Sequence, residues 1–157
     1  MIIDFLTTKY RSEIDEGWGA FSLGNYKKAE GHFRNVLAHE EDSHMTLFDV
    51  VEAHNGIGAV NMAHKDFFEA TRWFQEAYYL LNEFYKGEWP KTLSWASYHD
   101  RGAMRTLISL GKIAQEHKEF KKAKRFYSQL IHADKKDELG VTTFLKECEK
   151  NTVSSQS

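Results

Sequence analysis

The chain has 157 residues with a net charge of −2 at neutral pH, a length typical of one domain. Hydrophobic residues make up 41% of it and charged residues 28%, a mixture that excludes a disordered or a fibrous chain. No stretch approaches the roughly 20 apolar residues of a membrane span, and the first residues lack the basic flank of a signal peptide, so we expect no membrane partner.

The first predicted elements are two helices joined by a tight turn. We expect a helix, or a short lead-in and a helix, over 1–23 and a second helix over 26–40, because apolar residues recur there at helical spacing. Gly24 and Asn25 supply the turn. The segment 39–44, His-Glu-Glu-Asp-Ser-His, places its two histidines on poorly aligned helix faces, so we interpret it as a charged loop and not as a metal site.

The rest of the chain is also predicted to be helical. The further helices are expected over 47–64, 67–86, 92–116, 120–133 and 137–150. Pro90 suits the first position of a helix, and the stretch 90–117 forms either one long helix or two helices divided at Gly102. We expect the helix over 137–150 to cover an apolar end of the domain and residues 151–157 to form a disordered tail.

One sequence pattern, G-x8-[FY]-x2-A-x3-[FY], occurs three times. Its copies are Gly17, Tyr26, Ala29 and Phe33; Gly58, Phe67, Ala70 and Phe74; and Gly111, Phe120, Ala123 and Tyr127. The spacing places both aromatics and the alanine on one face of a helix, with the glycine on the preceding helix. Small residues let crossing helices approach while aromatics fill the gaps beside them. Each copy therefore predicts a helix, a turn and a second helix.

This pattern resembles the tetratricopeptide repeat, a unit of 34 residues. In that register the repeats run over about 10–43, 51–84 and 104–137. The resemblance implies an all-α fold in which antiparallel helix pairs stack into a right-handed superhelix. We expect a single domain over 1–150, with the helix over 137–150 as its cap.

Two features depart from the family's pattern. Successive repeats start about 7 and about 19 residues later than the 34-residue spacing requires, so there are insertions between them. The family's usual proline at the end of the second helix is also missing, and Glu41, Asn82 and Lys135 stand in its place. We therefore expect longer helices and a less regular superhelix.

The resemblance implies that the first helix of each repeat lines a concave surface that binds extended peptides or helices. The residues that we place on this surface are Arg11, Asp15, Trp18, Ser22, Glu52, Asn55, Ala59, Met62, Arg105, Ser109, Lys112 and Gln115. One subset of the family grips the terminal carboxylate of a peptide with lysine, asparagine and arginine. Of the corresponding positions here only Arg105 is basic, so we do not expect that specificity. A resemblance to small three-repeat chaperones rests on size alone.

Charge is distributed unevenly along the chain. Residues 1–84 hold seven Lys and Arg against fourteen Asp and Glu, whereas residues 85–157 hold fourteen against nine. The densest basic stretch contains Lys118, Lys121, Lys122, Lys124 and Arg125. Such a stretch is either a solvated helix face or a surface for an acidic ligand or nucleic acid.

The sequence offers no catalytic motif. The phosphate-binding, dinucleotide-binding and nucleophile-elbow patterns are absent, so we expect neither an enzyme nor a cofactor. Cys148 has no second cysteine to pair with, which fits a reducing cytoplasm, and we interpret it as a small apolar residue of the capping helix.

Three functions follow from these features. The leading hypothesis is a non-enzymatic adaptor that binds a peptide or helix of another protein in the concave groove. The second is a binder of acidic ligands through residues 118–125, with nucleic acid ranked low because base-stacking aromatics are not evident there. The third is a subunit that self-associates through its oppositely charged halves, although we expect a monomer or weak association.

Overall fold

The computed structural model describes the backbone of residues 2–156 and the side chains of residues 9–152. Within residues 2–156 all regular secondary structure is helical, so the predicted all-α class is confirmed. The helices are α1 (Ile2–Ser22), α2 (Tyr26–Leu37), α3 (Leu47–Ala63), α4 (Phe67–Tyr85), α5 (Tyr98–Glu116), α6 (Phe120–Ala133) and α7 (Val141–Gln156). No helix in this part of the chain has the length and hydropathy that a membrane span needs.

The chain divides into two compact units, Met1–Leu80 and Leu81–Ser157, where the sequence predicts one domain over 1–150. In the first unit α1 packs on α2, and α3 packs on both of them. In the second unit α6 packs on α5 and on α7. Consecutive helices are therefore packing partners in each unit, as expected of helical hairpins.

The turn inside each predicted hairpin is the same in all three copies. The seventh residue after the pattern's glycine has a positive φ, which is 78° at Gly24, 62° at Lys65 and 60° at Lys118. The N–H of the next residue then donates to the carbonyl five positions earlier, at 2.8 to 2.9 Å. This six-to-one hydrogen bond and the left-handed residue before it are the Schellman ending of a helix. The three copies thus share a backbone turn as well as a residue pattern.

The glycine of each copy lies against the last aromatic ring of the same copy. A Cβ added to Gly17 would lie 2.7 Å from the ring of Phe33, and one added to Gly58 would lie 2.9 Å from the ring of Phe74. The corresponding approach of Gly111 to Tyr127 is closer still. All three rings are at least 99% buried, so they have little room to move away. This contact fixes the separation of the two helices in each pair.

Two of these rings also contact a third helix. Phe33 lies between Gly17 of α1 and Gly56 of α3, and a side chain at Gly56 would collide with the same ring. Tyr127 lies between Gly111 of α5 and Phe144 of α7, whose ring stacks on it with centroids 5.8 Å apart. One aromatic side chain therefore holds three helices together in each unit.

The structure corrects the predicted bounds of two helices. Helix α5 begins at Tyr98 and not at residue 92, and it continues without interruption through Gly102. Helix α7 begins at Val141 because Asp137 accepts hydrogen bonds from the N–H groups of the first turn. It ends at Gln156, so the predicted disordered tail is helical over 151–156, and its last residue, Ser157, lies outside the described residues.

The loop between α2 and α3 is fixed to α1 by one polar contact. The Tyr10 hydroxyl donates a hydrogen bond to Asp42, which also accepts from the backbone N–H of His44 at 2.9 Å. The bond to Asp42 raises the pKa of Tyr10 to about 12, and the same bond lowers the pKa of Asp42 from its ordinary value. Both pKa shifts favour the state in which Tyr10 is protonated and Asp42 is ionised.

Our first prediction concerns the glycine–ring contact. We expect Gly58→Ala to lower the free energy of unfolding by about 1–3 kcal/mol, because the new methyl group cannot fit against the buried Phe74 ring. Gly31→Ala is the control, since Gly31 is exposed on α2 and no atom lies within 4 Å of the added Cβ. It should stabilise the chain by about 0.5–1 kcal/mol through helix propensity. Denaturant unfolding measures both, and equal effects would refute the packing role.

The second prediction concerns pH. Tyr10→Phe removes the bond to Asp42, so we expect the wild type to melt at a higher temperature than this variant near neutral pH. The difference should shrink above pH 10, because the folded-state pKa of Tyr10 is raised to about 12 and its contribution is lost as the proton leaves. It should also shrink in acid as Asp42 takes up a proton. Melting temperatures from pH 2 to pH 12 test this, and a constant difference contradicts it.

Candidate functional site

A groove of about 770 Å³ lies in the second unit, between α6 and the segment 86–97 that joins α4 to α5. From α6 it is lined chiefly by Lys121, Lys124, Arg125, Ser128, Gln129 and His132, with Ala133 at the end. The opposite side and the floor are formed by Trp89, Pro90, Lys91, Leu93 and Leu107. We call this depression the basic groove and the segment 86–97 the α4–α5 segment.

Helix α6 forms one side of the groove over nearly its whole length. The lining positions between Lys121 and Ala133 follow a spacing of three and four, which places them on one helix face. At 1.5 Å per residue this face is about 18 Å long. The opposite face carries Ala123, Tyr127 and Leu130, which are buried in the unit. The core contacts of α6 thus decide which of its side chains point into the groove.

The start of the α4–α5 segment is fixed to the end of α4. Lys86 and Gly87 have φ values of 54° and 78°, which end the helix in a tight left-handed turn. The indole N–H of Trp89 then donates to the side-chain oxygen of Asn82 at 3.1 Å, and its ring centroid lies 5.3 Å from that of Tyr85. Trp89 therefore stands at the groove in a defined orientation.

The end of the segment is fixed to α6 and α5. The N–H of Leu93 donates to the carbonyl of Ala133 at 3.0 Å, and the N–H of Ser94 donates to Asp100 at 3.0 Å. The guanidinium of Arg101 donates to the carbonyl of Trp95 at 2.7 Å. Because the segment is attached at both ends, its side of the groove is preorganised.

The basic groove combines an apolar floor with a one-sided charge. Leu93 and Leu107 are at least 96% buried and form an apolar base. Lys91, Lys121, Lys124 and Arg125 surround it, and no carboxylate is found among the described residues that line it. Cations in a concave surface attract an anion, and the floor favours an apolar group on the same ligand.

The predicted basic stretch is therefore divided between two depressions. Lys121, Lys124 and Arg125 line the basic groove. Lys118 and Lys122 line a second depression of about 670 Å³, which Lys121 and Arg125 also border. The second depression includes Glu119 and Phe120, so its charge is mixed. The basic groove has the more uniform chemistry of the two.

In the first unit, several residues predicted for the concave surface contact one another. Glu52 and Asn55 are at least 99% buried, and Glu52 accepts hydrogen bonds from Asn55 at 3.4 Å and from the Trp18 indole at 3.1 Å. The bond from Trp18 joins α1 to α3 inside the unit, and the burial of Glu52 and Asn55 shows that they are not surface residues. Four further predicted residues are at least partly exposed, namely Arg11, Asp15, Ser22 and Met62.

In the second unit, three of the four predicted residues make contacts within the unit. The guanidinium of Arg105 lies 4.7 Å from the centroid of the Trp95 ring, and the ammonium of Lys112 lies 5.2 Å from that of Phe144. The side-chain oxygen of Gln115 accepts from the Tyr127 hydroxyl at 2.8 Å. Ser109, the fourth, is half-buried. None of these four residues lines the basic groove.

Two further features contain side chains with possible chemistry, a cluster around His32 and the thiol of Cys148. His32 of α2 lies 3.4 Å from Glu13 and 3.6 Å from Glu16 of α1, and the sequence did not reveal this cluster because its members lie on two helices. Polar contacts of the imidazole with the two carboxylates account for this cluster. Cys148 is fully buried, and burial raises the pKa of its thiol, which disfavours the reactive thiolate.

No family model matches this chain, and neither curated proteins nor solved structures yield a match. The identification of the basic groove as a candidate site therefore depends on its geometry alone. Sequence reasoning found its α6 side through the basic stretch but missed the opposite side. The signal for that side was the insertion after α4, which contains Trp89, Pro90 and Leu93 among turn residues.

Our third prediction concerns the seating of the α4–α5 segment. We expect Leu93→Ala to lower the free energy of unfolding by about 2–4 kcal/mol, because it removes a buried side chain that holds the segment against the unit. Amide hydrogen exchange over 86–97 should become faster. The control is Thr92→Ala at the exposed neighbouring position, which should stay within about 0.5 kcal/mol of the wild type. Unchanged exchange in Leu93→Ala would show that the segment is held by other contacts.

Proposed function

We propose that this chain is a non-enzymatic interaction module, an adaptor, that binds a segment of another protein in the basic groove. The observation that carries the proposal is the groove itself: it is concave, fixed on both sides, and combines four cations with an apolar floor. Protein surfaces of this kind bind a partner through apolar anchors, and their charges set orientation and encounter rate.

We further propose that the fold is a tetratricopeptide-like stack of helix pairs with α7 as its cap. The three equivalent turns and the three glycine–ring contacts support this, because a repeated sequence pattern here coincides with a repeated backbone geometry. The basic groove lies at the longest insertion between repeats. In this proposal the insertion after α4, which regular repeats lack, forms one side of the binding site.

The proposal moves the binding site away from the concave surface that the resemblance implies. Of the residues predicted for that surface, Glu52 and Asn55 are buried, and Arg105 and Gln115 contact side chains of their own unit. The basic groove offers cationic and apolar side chains that border an open space instead. A cytoplasmic location and a monomeric or weakly associating state stay predictions of the sequence.

Our fourth prediction tests this function with a displayed library of random peptides. The wild-type chain should enrich peptides whose binding is lost in Ser128→Trp, because Ser128 is exposed in the groove and an indole there would fill it. The control is Glu116→Trp, which introduces the same indole at an exposed position of α5 outside the groove. It should bind the enriched peptides as the wild type does.

Two results would contradict the proposed function. One is a selection that enriches no peptide above background although the chain is folded by circular dichroism. The other is a set of peptides that binds the wild type, Ser128→Trp and Glu116→Trp equally well, which would place the binding site elsewhere.

A further inference from the structure

We infer that the segment bound in the basic groove is a short, extended, acidic one that also carries an apolar side chain. The inference rests on the proposed function and adds the chemistry and the length of the ligand. It follows from three properties of the groove, which are the sign of its charge, the presence of an apolar surface and its length.

The charge of the groove selects an anion. Lys121, Lys124 and Arg125 lie on consecutive turns of α6, and Lys91 approaches from the α4–α5 segment. No carboxylate is found among the described lining residues, so these cations are not neutralised within the groove wall. Carboxylate side chains match lysine and arginine as partners for charge-assisted hydrogen bonds, and a neutral or basic segment would leave the four cations without such partners.

The apolar surface of the groove selects a side chain that carries no charge. Trp89 and Pro90 are half-buried and border the groove, while Leu93 and Leu107 form its base. Because Trp89 is held by Asn82 and Tyr85, little side-chain freedom is lost when a ligand packs against it. Burying a leucine or phenylalanine side chain there supplies the apolar part of the binding energy.

The length of the groove sets the length of the segment. The lining face of α6 extends for about 18 Å, and an extended chain advances about 3.3 Å per residue. About five residues therefore span it. Single-stranded nucleic acid fits less well, because it needs a series of aromatic rings for its bases, and the described lining residues include only two such rings, those of Trp89 and His132. A flat membrane surface cannot follow a concave groove.

The test uses the full chain and three fluorescein-labelled peptides of eight residues, measured by fluorescence anisotropy. The first has four carboxylates around a central leucine, the second has amides in place of the carboxylates, and the third has serine in place of the leucine. We expect the first to bind at least tenfold more tightly than either of the others. Raising the salt from 0.05 M to 0.3 M should weaken the first several-fold and leave the second unchanged.

Two double variants locate the binding. Lys124→Glu with Arg125→Glu reverses two charges of the groove and should reduce the affinity for the first peptide at least tenfold. Lys135→Glu with Lys136→Glu makes the same charge change at exposed positions outside the groove and should reduce it less than twofold. Trp89→Ala should bring the affinity for the first peptide close to that for the third. Circular dichroism confirms that each variant is folded.

The outcomes separate this inference from the proposed function. Peptides enriched from the library that need the groove but carry no carboxylates would overturn the inference and leave the function standing. Equal losses in both double variants would also overturn the inference, since binding would then follow net charge. An eight-nucleotide single strand that binds more tightly than the acidic peptide, with the same dependence on Lys124 and Arg125, would overturn both.

Discussion

The approach of an aromatic ring to a glycine is the constraint on which the rest of this fold depends. At Gly17, Gly58 and Gly111 the absent side chain leaves room for a buried ring from the neighbouring helix. A ring is wide and rigid, so the distance and rotation of the two helices are set together. The turn between them then has one geometry, which explains why Lys65 and Lys118 adopt a left-handed conformation that glycine adopts at Gly24.

The contact between a glycine and an aromatic ring also determines the geometry of the basic groove. Tyr127 is held between Gly111 and Phe144, so the rotation of α6 about its own axis is fixed by contacts on its buried side. That rotation directs Lys124 and Arg125 toward the α4–α5 segment. The hydrogen bond between Leu93 and Ala133 then holds the α4–α5 segment next to α6. A contact in the core thus determines which side chains of α6 border the groove.

The sequence predicts the helical hairpins well because their determinants are local or repeated. Helical periodicity identifies the elements, and the glycine and aromatic residues recur at one register in all three copies. The predicted start of α5 was wrong because part of the stretch 92–97 is held by tertiary contacts, such as the bond from the N–H of Leu93 to the carbonyl of Ala133. Contacts of this kind produce no periodic pattern in the sequence. Tertiary contacts override local preference there.

The candidate site was predicted only in part for a related reason. A basic stretch on a predicted helix is visible in the sequence, but the segment opposite it is not periodic and its distance from α6 is set by the fold. The burial of Glu52 was equally hidden, because its partner Trp18 is 34 positions away. Side chains that meet across helices, such as His32 with Glu13, need the packing to be known first.

The two faces of helix α6 are under different constraints, so one face can change in sequence while the other stays the same. Ala123, Tyr127 and Leu130 are buried and constrained by packing, whereas Lys121, Arg125 and Ser128 are exposed and border the basic groove. Under the proposed function, substitutions on the second face therefore change the preferred ligand with little effect on folding. A descendant of this chain could acquire a different partner through a few exposed replacements on one helix while its hairpins stayed as they are.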